Sequence, residues 1–272
     1  MKKDKQVAIE QIVDSAIKSF VDGFELRYIA EVGDPNGVIN SKKNNCFIAE
    51  LGDEFVFYSA FVRSFDSSFG KVLENLGNSI ANLSYEVRHD VESFLLPQQT
   101  QHSDYLMNEY ERHTYLPKIS DYENFNCLIP SDLTSYRKSH KTDNYFYKPS
   151  TNEHFIIELK AGGDLDNKKA KAEKLALLNE FFILKNKLNN DDKIKIFFAT
   201  AYNKFGEGNV WRQANVQTFF AEDELLIGKN YWNFVCDDIE GFDVIFNQYK
   251  NSAQYLKDAL NRIKNKYFEV KF

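Results

Sequence analysis

The sequence predicts an α/β fold, a mixed sheet flanked by helices, with a helical N-terminal part. Three observations carry this. Residues 143–160 hold two runs of aromatic and β-branched residues on either side of Pro149-Ser-Thr-Asn152, the pattern of a hairpin. The run Lys193–Thr200, with Ile194, Ile196, Phe197 and Phe198, reads as a buried strand reached from residues 154–160 through a helical stretch. Strand, helix, strand implies a right-handed crossover and a parallel pairing. Over the first ninety residues, by contrast, apolar residues recur at helical spacing.

The elements follow in order. Val7, Ile9, Ile12, Val13, Ala16, Ile17 and Phe20 mark a helix over 5–22 that ends near Gly23. Asp34-Pro-Asn-Gly37 is a turn, and Asn40–Asn45 a polar loop. Residues 46–65 read as a second helix, so rich in aromatics that it should bury against another helix or another subunit. Asp66-Ser-Ser-Phe69 looks like a cap opening a third, whose stripe is Leu73, Leu76, Ile80, Leu83 and Val87. Pro97, Pro117 and Pro130 interrupt 94–135, where Asp104–Tyr115 suits a short helix. After Gly162-Gly163, Asp164 or Asp166 can cap a helix running to about Leu188. Tyr202–Trp211 is a loop, 216–249 a surface segment of aromatics and acids, and 242–265 a closing helix.

The hairpin concentrates the chemistry. With the turn centred between Ser150 and Thr151, Asp143 and Glu158 oppose each other, with Cβ atoms about 5 Å apart. Glu158 and Lys160 share one face, and Phe155, Ile157 and Leu159 the other. Two carboxylates that close call for a cation. Mg²⁺ takes one or two carboxylates plus waters and phosphate oxygens, polarises a phosphoryl oxygen and acidifies bound water. A neighbouring lysine can orient or deprotonate the attacking water, or neutralise charge on the phosphate. Asp143 and Glu158 are therefore the expected metal ligands and Lys160 their catalytic partner. Asp132, Asp121 and Asp104 compete upstream for the aspartate's role.

Asp143 followed by Glu158-Leu159-Lys160 resembles the PD-(D/E)xK nuclease signature, with Thr142 where that signature has proline. The continuation Ala161-Gly162-Gly163-Asp164, leading into a basic helix, resembles Type II restriction endonucleases that cut GGNCC-like sites, RGGNCCY among them. The resemblance implies a restriction-endonuclease-like core, Mg²⁺ as cofactor, double-stranded DNA with a palindromic site as substrate, and a homodimer. It implies a helical part over 1–100 for dimerisation and DNA clamping, and a catalytic core over 101–272, with a first core helix over 67–92. Phe69-Gly-Lys-Val-Leu-Glu74 resembles that core helix, which makes Glu74 a further catalytic residue, with Glu86 as its alternative. The same motif serves repair and recombination nucleases. A hairpin with a salt bridge alone would suit a non-enzymatic DNA-binding or protein-interaction domain.

Basic residues near the hairpin are the candidate DNA contacts. Arg137 and Lys138 precede Asp143; Lys168 and Lys169, with Lys171 and Lys174, open the helix after Lys160. Lysines there oppose the helix dipole, which hints at phosphate binding. Arg212, beside Gln213, is placed to reach guanine edges. The net charge of −6 does not exclude DNA, because the charge that matters is local. Cys46, Cys127 and Cys236 lie far apart, as reduced thiols of a cytoplasmic protein would. No apolar segment follows Met1-Lys-Lys-Asp, and no run reaches the ~20 apolar residues of a membrane span. His102, His113, His140 and His154 lack the spacing of zinc ligands.

Overall fold

The computed structural model describes residues 1–189 and 191–269, apart from the side chains of Thr134, Lys141 and Asp143. Helix α1 spans Lys3–Val32, a short 3₁₀ turn Asn40–Asn44, α2 Cys46–Ala49 and α3 Asp53–Ala81. Strand β1 is Glu86–Phe94, followed by α4 (Pro97–Glu111) and α5 (Ser120–Glu123). The hairpin strands are β2 (Arg137–Lys148) and β3 (Glu153–Lys160). Then come α6 (Asn167–Lys185), β4 (Lys193–Thr200), α7 (Ala214–Gln217), β5 (Leu225–Ile227), α8 (Lys229–Cys236) and α9 (Gly241–Glu269). Among the described residues no helix is long and apolar enough to cross a membrane.

The chain divides into two compact units, Met1–Leu76 with Asp243–Phe272, and Gly77–Phe242. The first is helical. On α1 the buried residues Ile9, Val13, Ile17, Val21, Phe24, Tyr28 and Val32 repeat every three or four positions. This stripe passes Gly23, so the expected stop there does not occur: Phe24, Tyr28 and Val32 continue the same buried face. Phe24 meets Phe61 of α3 at 5.5 Å between ring centroids, and Phe57 meets Tyr267 of α9 at 4.8 Å. Arg262 grips Glu25 with two bonds of 2.5 and 2.6 Å. The segment expected as one helix over 46–65 breaks at Gly52, whose φ of +88° suits glycine. The expected cap at Asp66 is instead mid-helix. Phe57 stacks on Phe61 and Phe65 on Phe69, each pair one turn apart, and this aromatic face carries α3 straight through.

The second unit holds a five-stranded sheet in the order β1-β2-β3-β4-β5. β1, β2 and β3 pair antiparallel, while β3, β4 and β5 run parallel. This is the mixed sheet flanked by helices that the sequence predicts. On one face Ile156 and Phe198 pack with Leu177, Leu178 and Phe181 of α6 and Leu106 of α4. On the other, Phe155 and Phe197 meet Phe234 of α8 at 5.0 and 5.5 Å. The helix expected over 67–92 ends at Ala81. Glu86 and Val87 lie in β1, paired with Tyr147 and Phe146, because this stretch completes the sheet edge. The sheet therefore starts before residue 101, and α9 belongs with the N-terminal helices, so the compact units are not divided at 100/101.

Candidate active site

The turn at Pro149–Asn152 sets the hairpin register. Lys148 pairs with Glu153, and the ladder proceeds to Asn144 with Ile157, the register expected for a turn centred between Ser150 and Thr151. Asn144 is fully buried; its amide donates to Asn78 at 2.8 Å and its carbonyl oxygen accepts from the Tyr231 hydroxyl at 3.4 Å. Alternation along β3 then puts His154, Ile156, Glu158 and Lys160 on the face beneath α6. His154 and Ile156 are buried there, whereas Glu158 and Lys160 emerge, half-buried, at the strand's C-terminal end.

Helix α6 completes the cluster. Asp166 caps it, its carboxylate accepting from the Lys169 amide at 2.8 Å. Two turns in, Glu173 reaches the Lys160 ammonium at 2.9 Å, and Glu158 bonds the same ammonium. Burial works against the charge on Lys160. The Coulomb attraction and hydrogen bonds of Glu158, then of Glu173, outweigh it and hold the ammonium above its ordinary pKa. Lys160 is thus a cation at neutral pH, suited to neutralising charge or orienting a water rather than to taking a proton.

Two loops frame this end of the sheet. Gly163 has φ +68°, and a Cβ there would stand 2.5 Å from the Thr200 methyl. Asp164 accepts from Gln213 at 3.3 Å and pairs with Lys204 at 3.1 Å, tying the loop after β3 to the loop after β4.

The predicted residues fall as follows. Glu158 and Lys160 come together as expected. The side chain of Asp143 lies outside the described residues. Glu74 is half-buried on α3, in the first unit. Glu86 pairs with Arg88 at 3.1 Å. Asp121 accepts from the Tyr110 hydroxyl and the Lys118 amide at 2.9 and 3.0 Å, a structural role. Arg137 opens β2 in an ion pair with Glu92, and Lys138 is exposed beside it. Lys168 and Lys169 are exposed on the first turn of α6. Lys171 instead pairs with Glu111. Lys174 is 1% exposed and paired with Glu224, so it does not face a phosphate backbone: the expected row of four lysines turns inward within two turns. Arg212 is exposed between buried Trp211 and Gln213.

Glu173 escaped the sequence reading. Its signal was present: it is a carboxylate in the inward stripe Ala170, Leu177, Phe181 of a helix leading away from Lys160. Among the described residues no three His, Cys, Asp or Glu side chains group closely enough to hold a metal ion. Glu158 and Glu173 nonetheless offer hard oxygen donors beside an amine, the donor type that suits Mg²⁺.

A family model described as Type II restriction endonuclease, HinfI, matches residues 5–253. No curated protein matches the chain.

Proposed function

Because the chain belongs to the HinfI family of Type II restriction endonucleases, and is thereby a site-specific deoxyribonuclease, we propose that it cuts DNA at the Glu158–Lys160–Glu173 cluster with Mg²⁺ as cofactor. The carrying observation is the Lys160 ammonium held between two carboxylates at the open end of β3. Asp143, one step along the register beyond the Asn144–Ile157 pair, is the proposed partner of Glu158 in holding the ion. Bound Mg²⁺ would supply polarisation of the phosphoryl oxygen and a more acidic water. Lys160, kept as a cation, orients the attacking water and offsets charge growing on the phosphate. Glu173 fixes the direction of the ammonium. Glu74 is the residue that the resemblance assigns to a further ion. Lys168, Lys169 and Arg212, with Arg137 and Lys138 further along β2, are the proposed DNA contacts.

A palindromic target requires one active site per strand, and two-fold DNA symmetry is matched by a two-fold protein, so the acting species is a homodimer. The cytoplasm, where the cell's DNA is exposed, is its place of action. The family match favours a GANTC-type site. The resemblance carried by the stretch Glu158-Leu-Lys-Ala-Gly-Gly-Asp164 implies instead the GGNCC type, RGGNCCY in particular. Digestion of one sequenced plasmid with Mg²⁺ is expected to give discrete bands whose ends reveal the site. Lys160→Ala should lose at least a hundredfold in cleavage while still binding the duplex. A smear or random nicks would favour a repair-type nuclease, and no cleavage of any DNA by the wild-type protein would defeat the reading.

A further inference from the structure

The first compact unit contains a cavity of about 700 Å³ lined by Arg27, Lys42, Arg63 and Lys71, by four serines that include Ser64 and Ser68, and by Val38 and Ala60. No carboxylate is among the lining residues, in a chain whose 40 acidic residues outnumber its 34 basic ones. Three other cations of the same unit do have carboxylate partners: Lys43 with Asp53, Lys18 with Asp14, Arg262 with Glu25. Among the described residues Arg27, Lys42, Arg63 and Lys71 form no ion pair.

Arg27 is nevertheless held in place. Its guanidinium lies over the rings of Phe24 and Tyr28, 5.5 and 5.0 Å from their centroids, and donates to the hydroxyls of Ser68 at 3.1 Å and Ser64 at 3.4 Å. A serine oxygen that accepts from arginine keeps its own O–H to donate onward. The cavity thus offers oriented donors and positive charge with no carboxylate beside it, which suits an acceptor-rich anion. The arginine fork and the serine hydroxyls suit the tetrahedral oxygens of a phosphate. Arg63 and Lys71 stand eight residues apart on α3, about 12 Å along the helix. Over that distance one strand of duplex DNA presents three to four phosphates.

We propose that this cavity binds phosphate, and that its source is the DNA backbone, engaged without regard to base sequence. The inference rests on the nuclease reading above. It is tested on the full chain by comparing wild type with the double variant Arg63→Gln/Lys71→Gln. Affinity for a duplex is measured from low to moderate salt, with Ca²⁺ replacing Mg²⁺ to hold back cleavage. The variant is expected to bind about 10- to 100-fold more weakly, by the same factor for a duplex with the recognition site and one without it. The plot of log K against log salt should be shallower by about 2, since each phosphate contact contributes about 0.9. Unchanged affinity and slope, with the wild type cutting plasmid normally, would overturn this inference and leave the nuclease reading standing. A wild type that neither binds nor cuts any duplex would overturn both. Calorimetric titration with inorganic phosphate and tripolyphosphate separates the sources. Free-anion binding that the double variant loses, with DNA affinity and slope intact, would refute the assignment to the DNA backbone.

Discussion

Glu173 and Lys174 are neighbours on α6 and meet opposite surroundings. Glu173 faces the open end of β3 and holds Lys160. Lys174 is buried against Glu224, which also accepts from the Tyr122 hydroxyl at 2.7 Å and the Ala221 amide at 2.8 Å. Burial lowers the Lys174 pKa, against the pull of Glu224. Removing one member of such a pair leaves a charge uncompensated in a dry interior, so Glu224→Gln should cost about 3–5 kcal/mol in urea unfolding. Glu173→Gln acts differently. It should lower the Lys160 pKa, read from the side-chain NMR titration, and reduce kcat about tenfold or more with KM little changed. For the wild type, a folded pKa raised above 10.5 means that the ion pair's stabilisation is fully present below about pH 10.5. It is lost only as pH rises through the raised value. The Lys174–Glu224 pair was not readable in advance, because Glu224 lies 50 residues from Lys174, whereas Glu173 was marked only by its place in the inward stripe of α6.

At the scale of elements, the hairpin and crossover were legible and the helix boundaries were not. Strand period and turn chemistry fix β2 and β3 locally, so the register from Lys148–Glu153 to Asn144–Ile157 could be placed from Pro149–Asn152. The parallel β3–β4 pairing followed from strand order. Gly23 and Asp66-Ser-Ser carry the local signals of helix ends. The aromatic stripe on α1 and α3 overrides them, a tertiary effect that local spacing understates. The three-residue β5 offers too little pattern to be seen, and β1 was hidden by apolar residues that also fit helical spacing. The Gly162-Gly163 turn, in contrast, is specified by its own residues. Gly163→Ala would force a side chain into the left-handed region and against Thr200, costing about 1–2 kcal/mol from the backbone alone. The expected result is a Tm lower by about 5 °C in calorimetry, with slower cleavage because the loop beside Lys160 shifts.

For the whole molecule, assembly and charge decide behaviour. In the helical unit Phe57 and Phe61 are buried, whereas Phe55, Tyr58 and Val62 stand exposed at helical spacing on α3. The homodimer proposed above would need a self-complementary apolar surface, and these exposed side chains of α3 are the proposed one. Sedimentation equilibrium should show a dimer, and Phe55→Glu/Val62→Glu should shift it toward monomer. The cation-lined cavity in an acidic chain has a preparative consequence. At neutral pH the protein's −6 net charge favours retention on an anion-exchange resin. The same molecule should be captured by immobilised heparin, whose sulfates the cavity would grip, so that two columns of opposite sign both retain it.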